Sequence, residues 1–173
     1  MEVLEGNRRW VVIAVCAAVA AVVLYFTFFG ASDEDQIRKA LTTLTKSVGV
    51  RENENPLARL GRIKSDLKDV VADDCSVDVR ELNIRVSGRP KLAENATQVA
   101  AVYTTASVDL GSLTIKIDPT GTSAKADAVA EVSGMTRGER RADRRDVHFL
   151  LRKDGGWKIT SIDVLPKEQN PSP

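Results

Sequence analysis

For residues 30–165 the sequence predicts an α+β fold, with two amphipathic helices laid on a curved antiparallel sheet of about five or six strands. Three observations carry this. Apolar residues recur twice at helical spacing between Ser32 and Asp74. From Cys75 onward the period drops to two. The helical and extended segments are segregated along the chain rather than alternating, which is the pattern of helices gathered on one face of an antiparallel sheet.

Ahead of this domain stand a short head, residues 1–9, and the uncharged run WVVIAVCAAVAAVVLYFTFF over residues 10–29. As a helix the run covers roughly 30 Å, the thickness of a bilayer's hydrocarbon core. Trp10 at one end and Tyr25, Phe26, Phe28 and Phe29 at the other suit two aromatic belts. A transmembrane helix is the expectation. Arg8 and Arg9 border it on the N-terminal side and favour a cytoplasmic N-terminus. The chain is then a single-pass membrane protein whose C-terminal domain is extracytoplasmic, periplasmic if the source is bacterial. The run is longer than the roughly 7–15 residues of a signal-peptide core, which favours retention as an anchor. Gly30-Ala31-Ser32 supplies the alternative, a cleavage site that would release a secreted small-ligand carrier. Cys16 is no lipidation site, because Val15 precedes it and the apolar run continues past it. Ala14, Ala17, Ala18 and Ala21 form a small-residue stripe on which two spans can pack, so a homodimer is one candidate assembly.

The first soluble helix starts at Ser32-Asp33-Glu34-Asp35, a capping residue followed by acids that suit the helix dipole. Ile37, Ala40, Leu41, Leu44 and Val48 form its apolar stripe, and Gly49 stops it. Asn55-Pro56 opens the second helix, with Leu57, Leu60, Ile63, Leu67, Val70 and Val71 on one face and an end near Ala72–Asp74. Val77 and Val79 begin the alternation, and Leu82, Ile84 and Val86 continue it on the other phase past a break near Glu81. Residues 87–95, with Gly88 and Pro90, read as a loop. Strands follow over Thr97–Asp109, Leu113–Ile117 and Ala124–Val132, with a turn at Pro119-Thr120-Gly121. Gly134–Arg145 reads as a charged loop. Val147–Lys153 and Trp157–Leu165 form a closing hairpin around Asp154-Gly155-Gly156, and residues 166–173 are a polar, disordered tail.

Composition excludes several function classes. A net charge of +1 and 5% aromatics supply neither an electrostatic footprint nor stacking platforms for nucleic acid. The two cysteines, Cys16 and Cys75, fall in different phases and cannot pair within one chain, and with one histidine a multi-histidine zinc site is excluded. Phosphate-binding glycine loops and nucleophile elbows are absent, so no cofactor and no metal are expected.

What remains is a small set of candidate residues. His148 is the weak catalytic candidate: its pKa range suits proton transfer, but it sits on the phase opposite Val147, Phe149 and Leu151, where a half-exposed strand residue is the simpler reading. Asp78, Asp109, Asp127 and Asp163 fall on strands, where most carboxylates are solvated. The stripe Ala124, Ala126, Ala128 and Ala130 leaves room on an inward face, either for close helix packing or for a cavity. A ligand pocket built there would draw on Tyr103, Thr105, Ala126, Ala128, His148 and Trp157. Arg137, Arg140, Arg141, Arg144 and Arg145 form a cluster interleaved with Glu139, Asp143 and Asp146. It is either a self-neutralised surface or a partner for lipid headgroups or an acidic protein.

Two amphipathic helices followed by strands ending in HFLLRKDGGWKITSIDV resemble the cone-shaped nuclear transport factor 2-like superfamily, including SnoaL-like domains, over roughly Ser32–Leu165. A short third helix that many members carry between early strands is not visible in this sequence. The resemblance implies a cone fold and leaves function open, because that fold hosts isomerases, dehydratases, cyclases and assembly modules. The layout of head, span and cone also resembles periplasmic-domain subunits of type IV secretion systems and membrane proteins associated with Mce lipid transporters, which are scaffold components. The expected function is a membrane-anchored, non-catalytic binding or assembly module, with the bilayer and a membrane-complex protein or a second copy as partners. The alternatives are a SnoaL-like enzyme doing proton-transfer chemistry on a small apolar substrate, and the cleaved carrier.

Overall fold

The computed structural model describes residues 32–136 and 138–166. The predicted head and membrane span, Cys16, Arg137 and the tail beyond residue 166 lie outside them. Among the described residues no helix is long and apolar enough to cross a membrane.

Helix α1 (Asp33–Val48) and helix α2 (Pro56–Val70) fall where the periodicity places them. Asn55 caps α2 by accepting from the Leu57 and Ala58 amides, and Pro56 fills the first position, where a missing N–H costs nothing. Strand β1 (Val71–Val79) leaves α2 with no intervening loop, earlier than the predicted start at Cys75. The break near Glu81 is a turn: a short 3-10 segment, Arg80–Leu82, and Asn83 in the left-handed region at φ 51° fold β2 (Ile84–Ser87) back antiparallel on β1.

The structure corrects several of the sequence expectations. Residues 87–95 are not a loop. Helix α3 (Arg89–Gln98) occupies them, supplying the third helix, with Ala93 fully buried and Leu92 and Ala96 packed on the core. Pro90 punctuates a loop in the sequence but is compatible with a helix's first turn, which is where it stands. Gly134–Arg145 is not a loop either. Strands β4 (Ser123–Thr136) and β5 (Glu139–Lys153) pair without interruption from Ser123↔Arg152 to Thr136↔Glu139. Their outer half lacks the apolar alternation that marks a strand because backbone ladder bonds hold it, not a buried face. Strand β3 (Thr105–Ile117) starts at Thr105 and not at the expected Thr97, because α3 runs to Gln98 and a 3-10 segment, Val99–Ala101, follows it; it is then continuous, with a register shift between Gly111 and Thr114 and Ser112 at φ 50°, a bulge. Strand β6 (Trp157–Val164) closes the chain.

The curved six-stranded sheet runs β2-β1-β6-β5-β4-β3 and, with three helices, makes a cone-like α+β fold. All neighbours are antiparallel except β1 and β6, which are parallel. Ile37 and Leu41 of α1, Ile63 and Leu67 of α2, and Ala126, Phe149, Leu151 and Ile159 of the sheet form one buried cluster. Each of the larger side chains contributes on the order of 1.5–3 kcal/mol by leaving water.

Polar ties set the helices in place. Arg62 forks onto Glu54 at 2.7 and 2.8 Å and donates to the Ser47 carbonyl at 2.9 Å, joining α1, the loop and α2. That guanidinium holds the Glu54 carboxyl below its usual range. Arg59, only 1% exposed, donates through Nη2 to the carbonyls of Ala96 at 3.0 Å and Val48 at 3.4 Å, near the C-termini of α3 and α1. The two helix dipoles favour a cation there. Burial lowers the Arg59 pKa, and its Nε and Nη1 have no hydrogen-bond partner among the described residues.

Candidate functional site

Aliphatic side chains from every helix and strand converge on a cavity of about 450 Å³. The helices bring Leu44, Val48, Leu67 and Leu92, and β1 and β2 bring Val77, Val79, Ile84 and Val86. The remaining strands bring Val108, Leu110, Ala130, Val147, Phe149 and Ile162. Ile84, Val99 and Val132 line the cavity and are also 48%, 39% and 38% exposed, which locates its mouth. Apart from Thr45, Asn95 and Arg145, the whole lining is apolar. This is the size and character of a pocket for a small apolar molecule.

Among the described residues Arg145 is the one charged side chain in that lining. It stands on β5, in phase with inward-facing Val147 and Phe149. Its Nη2 lies 2.9 Å from both Glu81 of the 3-10 turn and Asp143 of its own strand. Its Nη1 is buried with no hydrogen-bond partner among the described residues. Asn95 donates through Nδ2 to the Lys91 carbonyl at 2.8 Å.

None of the six residues that the sequence nominated for a pocket lines this cavity. Ala126 and Ala128 are buried in the core on the same face of β4, short of the cavity; only Ala130 of the stripe reaches it. Trp157 is 4% exposed and donates from Nε1 to Asp33 at 2.9 Å, where Lys153 also donates at 2.7 Å. Those two donors, Lys153 first, hold the Asp33 carboxyl below its usual range. Tyr103 lies against Gly134, where a Cβ would come within 2.6 Å of its ring, and Thr105 pairs with Met135 near the far end of β4. His148 is on the outer face, with Nδ1 2.5 Å from Asp127 Oδ1.

The strand carboxylates also stay away from the cavity. Asp163 pairs with Arg80, which lowers its pKa, and Asp78 pairs with Arg85. Of the arginines nominated as a headgroup loop, Arg140, Arg141, Arg144 and Arg145 are strand residues, and Arg137 lies outside the described residues. Arg140, Arg141 and Arg144 are exposed on β5, while Arg145 turns inward. Among the described residues no group of three His, Cys, Asp or Glu could hold a metal ion. Cys75 is fully buried, and burial pushes its thiol up to about 12, which removes it as a nucleophile.

Sequence reasoning did not reach the lining of this cavity because it is assembled from all nine elements, few residues from each. The inward phase of Arg145 relative to Val147 and Phe149 was the one signal in the sequence that could have found it.

The domain has the cone-shaped, cystatin-like fold seen in nuclear transport factor 2-like proteins. No family model matches the chain, and no curated protein matches its sequence. Solved structures do match. One is a nuclear transport factor 2-like protein with a cystatin-like fold from Novosphingobium aromaticivorans, at 15% identity and TM-score 0.61, covering 88% of this chain and 90% of that one. Another is the Kfla4162 protein of Kribbella flavida, at 10% identity and TM-score 0.64, covering 76% and 88%. A third, also from N. aromaticivorans, is named provisionally as a scytalone dehydratase, at 14% identity and TM-score 0.55, covering 74% and 79%. At these identities the likeness is one of fold.

Proposed function

We propose that this protein is a membrane-anchored, non-catalytic binding module whose cone holds a small apolar ligand. The observation that carries the reading is the cavity of about 450 Å³, whose lining is aliphatic or aromatic but for Thr45, Asn95 and Arg145. No acid or base of ordinary pKa is among these residues, and arginine stays protonated at neutral pH, so the lining offers no group for proton transfer. That favours binding over the SnoaL-like chemistry suggested by neighbours with enzyme names. The anchor rests on the apolar run at residues 10–29 and the arginines that precede it.

The test uses the full chain in a mild detergent, followed through the fluorescence of buried Trp157. A ligand that binds only the folded state raises the melting temperature by mass action. Apolar molecules of ten to twelve heavy atoms should raise it. Ala130→Leu, which places a larger side chain in the cavity, should remove the response while leaving the fold intact. Equal responses in both proteins would defeat the reading. Membrane fractionation with N-terminal sequencing tests the anchor separately: an intact N-terminus in the membrane fraction is expected, and a soluble product beginning near Asp33 would establish the cleaved carrier instead.

A further inference from the structure

We infer that the ligand is an amphiphile: its alkyl tail fills the cavity, and a carboxylate head lies outside the mouth against Arg140 and Arg141. This deepens the apolar-ligand reading and rests on it. The cavity wall itself has little to offer a polar group. Arg145 is held at Nη2 by Glu81 and Asp143, each at 2.9 Å, and the Asn95 amide nitrogen is committed to Lys91. Burying a polar end there without a partner is costly, so the polar end belongs outside, where water still reaches it. Beside the mouth the structure provides a place for it. A groove lined by Tyr103, Gly134, Arg140, Arg141 and Asp143 shares Val132 with the cavity. A tail that leaves the cavity past Val132 enters this groove, whereas the mouth's other edges, Ile84 and Val99, are aliphatic.

The groove exists because strands β4 and β5 run on past the core. Ala130, Val132 and Gly134 continue one phase of β4, and Arg145, Asp143 and Arg141 continue one phase of β5. Ala130 is still buried; beyond it the Tyr103 ring lies on Gly134, where any Cβ would come within 2.6 Å of it. Charge then decides the head. Asp143, the groove's carboxylate, is already taken by Arg145, which Glu81 shares from outside the groove lining. Arg141 has an exposed side chain and a loose contact with Glu139 at 3.9 Å. Arg140 is exposed and has no ion-pair or hydrogen-bond partner among the described residues. Two guanidiniums therefore line the groove with donors to spare, and their fork matches a carboxylate. An alcohol head accepts from them without ionic attraction, and an ammonium head is repelled by both.

Melting curves of the full chain at pH 8 with undecanoate, 1-undecanol and undecylammonium test the inference. One detergent micelle is used throughout, so that partitioning and competition by detergent are the same for every protein. Arg140→Gln combined with Arg141→Gln should weaken undecanoate roughly fivefold, the scale of exposed ion pairs, and leave 1-undecanol within about twofold of wild type. The reversal, Arg140→Glu with Arg141→Glu, should weaken undecanoate further and strengthen undecylammonium. Should the paired changes not fold, Arg140→Gln alone should still weaken undecanoate. Ala130→Leu should remove the responses to undecanoate and 1-undecanol alike, because both tails need the cavity. Arginine variants that bind undecanoate as wild type does, or that lose 1-undecanol as much as undecanoate, overturn the head placement while the cavity reading survives. Undecanoate retained by Ala130→Leu while 1-undecanol is lost separates head from cavity and overturns it too. Wild type that responds to neither, or responses to both that survive Ala130→Leu, remove the cavity reading itself.

Discussion

The two halves of strand β4 face the same way and meet opposite fates. Ala124, Ala126 and Ala128 lie in a packed core, and Ala130 and Val132, next along the same phase, line a cavity. The packed half is tied by Asp33 at the start of α1 to Lys153 and Trp157 of the closing hairpin. The open half ends among exposed Ile84, Val99 and Val132 and the one inward arginine. Small residues alone thus do not make a pocket. Where large side chains from the helices reach the alanines, the space is filled. Where they do not, the same alanine periodicity leaves it empty.

The largest effect should come from the packed half. Ile63→Ala removes a fully buried side chain and should cost about 2–5 kcal/mol, read by urea denaturation. A loss under about 1 kcal/mol would mean that this half is as loosely filled as the other. Next, Ala126→Leu should destabilise by about 1–3 kcal/mol through overpacking. Ala130→Leu, further along the same phase, has a cavity to enter and should leave stability unchanged or raise it by about 0.5–2 kcal/mol. Equal losses from the two substitutions would erase the contrast between the halves.

A smaller effect concerns the Asp33 tie. Its carboxyl pKa is lowered in the fold, chiefly by the Lys153 hydrogen bond and then by Trp157. A lowered carboxylate pKa means the unfolded chain binds the proton more readily. The contribution is therefore fully present above the ordinary carboxylate pKa of about 3.9 and is lost as pH falls through the lowered value. Asp33→Asn should cost about 1 kcal/mol at pH 7, an ordinary hydrogen bond's worth. The gap between wild-type and variant melting temperatures should narrow in acid; a gap that stays constant to about pH 2 would show that the tie is not ionic. The smallest effect belongs to the outer face. His148→Ala, on a half-exposed pair with Asp127, should change stability by less than about 0.5 kcal/mol and leave the melting shift with an apolar ligand intact. Loss of that shift would place His148 in the ligand's path, contrary to its outward phase.

The stripes Ile37–Val48 and Leu60–Val70, Asn55-Pro56 as a helix start, and the hairpin at Asp154-Gly155-Gly156 were legible from local spacing and turn chemistry, whereas Leu57, counted with the second stripe, is exposed and Val71 already belongs to β1. So was the α+β order, because a change of period from 3.6 to 2 is written in consecutive residues. Helix α3 was hidden because Gly88 and Pro90 carry the same signal at a helix start as in a loop, and only the burial of Ala93 separates the two. The outer halves of β4 and β5 were hidden because Glu139–Asp146 pair through backbone bonds that leave no mark in side-chain pattern. The cavity was legible only in part, through Ala130 of the alanine stripe and the inward phase of Arg145. Its lining runs from Leu44 to Val164, and whether a small side chain faces a helix or empty space depends on which distant residues arrive opposite it. Sequence determined the elements because each rests on neighbours along the chain. The cavity and the isolation of Arg145 in its wall were decided by tertiary packing, because volume and charge compensation are set by residues that meet only in space.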